Sequence, residues 1–166
     1  MKVNIRRRSQ AAAHITLLAG LCLASVFLPA RASAALGSDV ASVEADQQQM
    51  KATRAVQANE KYSVHVITAP YGTVVREYVS PGGTVFGVAW RGPFLPNLQQ
   101  LLGDYYGKFA QAAQAAGTQA THARNLPVRV QQPDLIVHAG GHVRAYAGQA
   151  YVPGMIPQGV APQEIR

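Results

Sequence analysis

The stretch Thr73–Trp90, TVVREYVSPGGTVFGVAW, constrains this chain more than any other. Two runs rich in β-branched and aromatic residues flank Ser80-Pro81-Gly82-Gly83. There proline presets one backbone dihedral and glycine accepts a left-handed one, so the stretch predicts a β-hairpin. Upstream, Tyr62–Thr68 (YSVHVIT) has the same character and joins the hairpin through a second turn, Ala69-Pro70-Tyr71-Gly72. Together the runs predict a three-stranded antiparallel meander. With a three-residue loop at each turn the register follows. His65 falls opposite Glu77, Tyr78 opposite Phe86 and Val74 opposite Trp90. Val64, Val66, Val88 and Arg76 share the bulky, aromatic face; Ile67, Val75, Val79, Val85, Gly87 and Ala89 share the smaller one.

The first residues carry a different instruction. Lys2, Arg6, Arg7 and Arg8 precede an apolar run from Ala11 to Phe27, then Pro29 and the small-residue stretch PARASAALG. This is the pattern of a secretory signal peptide over residues 1–34, with cleavage expected after Ala32 or Ala34. Membrane contact is then expected only through this transient segment. The apolar run is short for a bilayer span. The single cysteine, Cys22, lies inside it, so the exported chain is expected to carry no disulfide. The chain's net charge of +7 is largely leader: without Lys2, Arg6, Arg7, Arg8 and Arg31, ten Lys/Arg stand against eight Asp/Glu. The remaining basic residues, including Lys51, Arg54, Lys61, Arg76 and Arg91, are scattered along the sequence, which argues against a nucleic-acid partner.

Beyond the leader, residues 35–166 are expected to form a single domain. Ser38 or Asp39 caps an expected helix running to about Val56, with Val40, Val43, Met50 and Ala52 as a thin apolar stripe. A second helix is expected over Leu95–Ala110, with Leu98, Leu101, Leu102, Tyr105, Tyr106 and Phe109 at helical spacing and Pro96 in its first turn. Gly103 and Gly107, four apart, are expected to give this helix a flat strip for close approach to the sheet. Residues 111–131 look like a variable linker. Leu135–Val137 and Val143–Tyr151 flank Gly140-Gly141, a hairpin signal, and the Pro-rich tail, 152–166, is expected to drape over a surface or hang loose. The expected architecture is an α+β fold: an antiparallel sheet, the meander plus a later hairpin, packed against two helices.

The segments GTVVREYVSPGGTVFGVAWRGPFLPNLQQLLGDYY and LIVHAGGHVRAYAGQAYVPGMIPQGV resemble the DUF2844 family of exported bacterial proteins. The resemblance covers nearly all of the chain beyond the leader and implies a small exported, periplasmic protein. It carries over no catalytic residue, cofactor or partner.

Three constellations are the candidates for chemistry. His138 and His142 bracket Ala-Gly-Gly; on a hairpin with a three-residue loop they would face each other and could share a metal ion, with Asp134, His122 or His65 as a third ligand. Against this stands the plain reading of two polar residues at an exposed hairpin end. His65 and Glu77 form a cross-strand pair that could act as acid and base or simply stabilise the sheet. Arg76, on the aromatic face with Tyr78 and Trp90, could hold an anionic or aromatic ligand; alternatively its stem packs while its head reaches solvent or a carboxylate such as Asp104. Pro81-Gly82-Gly83 joins two strands and so is no phosphate loop. Neither a nucleophile elbow nor a zinc-protease helix is present, and no cofactor is expected. The sequence therefore points to a non-enzymatic exported module that binds a ligand or another envelope protein, with a small envelope enzyme or metal protein as the alternative.

Overall fold

The structure, a computed structural model, describes residues 36–115 and 127–166. The expected signal peptide, its cleavage site, Cys22 and His122 lie outside the described residues.

Helix α1 (Val40–Gln49) starts where Asp39 accepts backbone N–H bonds from Ala41 and Ser42, at 3.0 and 3.2 Å. It stops well short of Val56. Lys51 adopts a left-handed φ of 50°, and the chain reverses into strand β1 (Thr53–Ala58), an edge strand that the helical reading missed. The meander follows as β2 (Ser63–Thr68), β3 (Val74–Val79) and β4 (Val85–Gly92). The expected long helix is broken. Short α2 (Leu98–Leu102) ends at Gly103, whose φ of 49° and ψ of −122° are not helical; one 3₁₀ turn leads into α3 (Tyr106–Ala115). Gly103 alone interrupts the helix, and a side chain at Gly107, inside α3, would meet open space, so the two glycines form no packing strip. Beyond the undescribed part of the linker come β5 (Val128–Gln132), β6 (Leu135–His142) and β7 (Ala145–Tyr151).

All seven strands form one antiparallel sheet in the order β1-β2-β3-β4-β7-β6-β5. The meander and the later hairpin are thus one layer, joined where β4 pairs with β7. The first turn and its register follow expectation, with His65 opposite Glu77. In the second hairpin Val79 pairs with Val85, as a three-residue loop demands, but the register then slips at a bulge and Tyr78 pairs with Gly87. One extra residue, Phe86, is inserted in β4. This slip moves Val88 and Trp90 to the face of Val75 and Val79, and Ala89 to the face of Tyr78 and Phe86. Trp90 faces Val75, and Val74 faces Arg91.

One face carries the main core, with Ile67, Val75, Val88 and Trp90 packed against Val43 of α1, Leu101 and Leu102 of α2 and Phe109 of α3. The other carries a smaller cluster of Tyr78, Phe86 and Ala89 closed by Val160 and Ile165. The tail is therefore ordered. Ile165 is fully buried, and its Cδ1 sits 2.9 Å from where a Cβ on Gly87 would stand. Tyr78 hydroxyl donates to the Arg166 carbonyl at 2.8 Å and accepts from the Arg166 amide at 3.0 Å.

Gly148 is the tightest point between the two halves of the sheet: a Cβ there would lie 2.3 Å from the Trp90 ring. Gly148→Ala is expected to cost about 1–3 kcal/mol through overpacking, measured as a lower urea midpoint with an unchanged m-value.

Candidate functional site

The tail covers only part of the second sheet face. Beside it lies a cleft of about 820 Å³ that reaches from Gln57 on β1 to Arg129 on β5. Strand alternation builds its floor. Arg76 pairs with Ala89, Ala89 with Gln149, Gln149 with His138, and His138 with Arg129, so these five residues form one row across β3, β4, β7, β6 and β5. Arg91 stands two residues beyond Ala89 and is therefore the diagonal neighbour of Arg76, about 7–8 Å away along the backbone. Ala147 pairs with Arg91 and Gly140 with Ala147, which keeps the adjoining row low. The tail adds Glu164 and Arg166 to the rim.

The electrostatics of this cleft are one-sided. Arg76, Arg91, Arg129 and Arg166 line it, and among the described residues none of them has an acid partner: the ion pairs are Arg54 with Glu44 and Lys108 with Asp134. The carboxylate at the rim, Glu164, is already engaged, accepting from the Ala161 amide and the Tyr62 hydroxyl at 2.8 Å each. These bonds, the backbone one first, hold its pKa below the usual range. The Nε2 of His138 is buried without a partner. Guanidinium groups with free donors beside small side chains suit a carboxylate or phosphate taken in bidentate fashion.

The expected ligand residues Arg76, Tyr78 and Trp90 all touch this cleft, in different ways. Arg76 is half-buried and makes no ion pair with Asp104. Tyr78 is 3% exposed and committed to the tail, and Trp90 is 2% exposed with its side chain in the main core. An Arg76–Trp90 stack is thus ruled out by the bulge, which puts the two side chains on opposite faces. The cleft offers cations and hydrogen bonds, and the half-buried Tyr62, packed beside Tyr78 and Phe86, is its partly exposed aromatic. Arg91, Arg129 and Arg166 were missed as site residues. The alternating Val128-Arg129-Val130 was the available signal for Arg129; nothing local pointed to Arg166.

His138 and His142 do not meet. The β6–β7 turn is Val143-Arg144, with Arg144 at a φ of 69°, and not Gly140-Gly141. Both histidines therefore lie on β6, four residues and about 13 Å apart. His142 is exposed near the turn, with Nδ1 3.2 Å from the Val143 carbonyl. Asp134 pairs with Lys108, and His65 is in the core-side layer. Among the described residues no three His, Cys, Asp or Glu side chains converge on a metal position. The position of the turn removes the face-to-face arrangement of His138 and His142 on which the candidate metal site was drawn.

His65 and Glu77 lie opposite each other on the core face, 7% and 1% exposed. They make no hydrogen bond to each other; His65 Nε2 instead stands 3.3 Å from Ser63 Oγ. Glu77 turns to Asp46 of α1, itself fully buried and held by the Gln100 side-chain amide. Neither Glu77 oxygen, nor Oδ2 of Asp46, has an N–H or hydroxyl donor. A proton retained on Glu77 would supply the missing donor. Burial, then the neighbouring Asp46 charge, pushes Glu77 well above the ordinary carboxylate range; burial raises Asp46 as well. Burial, followed by the Arg54 charge, lowers His65, so it is neutral near pH 7. This cluster is a sealed pair of acids under a helix, out of reach of the cleft.

The model of the family described as "Protein of unknown function (DUF2844)" matches residues 32–165. No curated protein and no solved structure matches the chain.

The raised carboxyls fix a sign for pH dependence. The folded state holds a proton that the unfolded state releases once pH passes the ordinary carboxylate range, so stability falls as pH rises above about 4.5, by at most about 1.4 kcal/mol per pH unit for each proton. The depressed His65 acts oppositely, losing stability as pH falls below its usual 6.5. Glu77→Gln is expected to flatten the carboxyl limb and to raise stability at pH 8 relative to the parent, read from denaturant midpoints between pH 4 and 9. An unchanged limb would refute the retained proton.

Proposed function

We propose, from the premise that the chain belongs to the DUF2844 family, that it is an exported, periplasmic binding module whose cleft holds an anionic ligand or an anionic group of an envelope partner. One observation carries the reading: four arginines without acid partners among the described residues converge on one cleft. Exposed arginines gain little from being placed near one another without a counter-charge, since like charges repel. Their arrangement acquires a use when an anion joins them. The signal-peptide pattern read in the sequence of residues 1–34 supports the location.

A non-enzymatic role fits the cleft's contents. Its polar groups are four arginines, amides, His138, Glu164 and the hydroxyls of Tyr62 and Tyr78, whereas the two acids of raised pKa are buried on the other sheet face. A catalytic assignment would need more than His138 and the already engaged Glu164: a nucleophile within reach of the bound group.

The test is stabilisation by ligand. At low ionic strength, citrate or inorganic phosphate is expected to raise the melting temperature in a concentration-dependent way, whereas chloride at matched ionic strength is not. An anion at a hundred times its Kd contributes about 2.7 kcal/mol. Replacing both Arg76 and Arg91 with glutamine is expected to remove most of that shift. A melting temperature insensitive to every multivalent anion would refute the reading.

A further inference from the structure

We infer that one end of the sheet docks on an anionic lipid bilayer, with Phe94 and Tyr71 entering the headgroup layer and Lys51 and Arg144 meeting lipid phosphates. This goes beyond the cleft reading and does not rest on it.

The antiparallel pairing sorts the connections into two ends. The links α1–β1, β2–β3, β4–α2 and β6–β7 gather at the end where Thr53 pairs with Thr68, Thr68 with Val74, and Gly92 with Tyr146. These links carry Lys51, Tyr71, Phe94, Val143 and Arg144, all exposed, and contain no acid. The opposite end holds Glu60 in the β1–β2 link and Asp134 in the β5–β6 link, with Glu164 bonded there to Tyr62. Charge is thus separated along the strands: cations with apolar tips at one end, exposed carboxylates at the other.

The apolar tips are built features. Tyr71 and Phe94 are the exposed aromatics among the described residues, at 42% and 53%, and meet edge to face with ring centroids 5.6 Å apart. Buried Thr73 pins them: its Oγ1 donates to the Phe94 carbonyl at 2.8 Å and accepts from the Phe94 amide at 3.3 Å. Gly92 permits that joint, since a Cβ there would stand 2.4 Å from Thr73 Cα. Lys51 shares a recess with Tyr71, and Val143 protrudes beside Arg144.

This mixture selects the partner. Aromatic rings favour the headgroup layer, where an apolar body and polar surroundings meet, and neighbouring cations gain from anionic lipid. A folded protein asks for one continuous matching face, whereas a bilayer deforms around separate turn tips.

The experiment is co-sedimentation of residues 35–166, which hold every described helix and strand, with vesicles of phosphatidylcholine alone or mixed with about one-third phosphatidylglycerol. Binding to the mixed vesicles is expected to weaken with added salt and to be about tenfold weaker on phosphatidylcholine alone. Phe94→Ala is expected to lose about fivefold through the apolar area withheld from the bilayer. Lys51→Asn and Arg144→Asn, which suit the left-handed backbone at both positions, are each expected to lose about fivefold. Lys61→Gln removes the same charge from the opposite end and is expected to change affinity by less than about twofold. If it weakens binding as much as Lys51→Asn, attraction is diffuse and the docking surface is refuted. If replacing Arg76 and Arg91 with glutamine abolishes binding while Phe94→Ala leaves it intact, the cleft reads the lipid and this inference fails. A chain that ignores both vesicle types at low salt leaves these tips to another protein and overturns it, with cleft binding of citrate unaffected.

Discussion

The pairing of β4 with β7 is the contact on which the rest of this molecule depends. Without it the chain would hold two separate ribbons, β1 to β4 and β5 to β7, with the main core divided between them. With it, the main core becomes continuous from Ile67 to Val137, and helices α1, α2 and α3 have one surface to cover. The same pairing aligns Ala89 with Gln149 and so links Arg76 to Arg129 in a single row. Core and cleft are opposite faces of one set of backbone hydrogen bonds.

Those faces handle charge by opposite means. On the core face two carboxyls are buried, and burial is tolerated because a proton neutralises one of them, which is how ionisable groups enter a low-dielectric interior. On the cleft face the arginines meet solvent, and among the described residues no acid pairs with them. The tail divides the second face between dry and wet: Val160 and Ile165 seal Phe86, while Glu164 and Arg166 border the cleft.

Much of the fold was legible in the sequence where local signals were unopposed. The two Pro/Gly turns of the meander, the pairing of His65 with Glu77 and the capping by Asp39 all rest on short-range chemistry. The departures have identifiable causes. β1 carries mostly exposed residues and so lacks the alternation that marks a half-buried strand. The bulge at Phe86 stands beside Gly87, whose place inside a strand is a bulge signal that was passed over, and it reassigns Val88, Ala89 and Trp90 to the opposite faces. Gly140-Gly141 looked like a turn, but those glycines lie within β6 and the reversal fell to Val143-Arg144. The site suffered most from such shifts, since it is assembled from strands far apart in sequence. Arg76 could be singled out as a misfit on an apolar face, whereas its partnership with Arg91, Arg129 and Arg166 required the β4–β7 register and the tail's path.

Trp90 is the chain's single tryptophan, and its ring packs over Gly148 at the seam between the two ribbons. The protein therefore carries its own optical reporter at the joint that makes it one sheet. A buried indole emits toward the blue, and its emission moves red when water reaches it. Fluorescence from this one side chain follows the closing of the seam separately from the formation of either ribbon, with no label added.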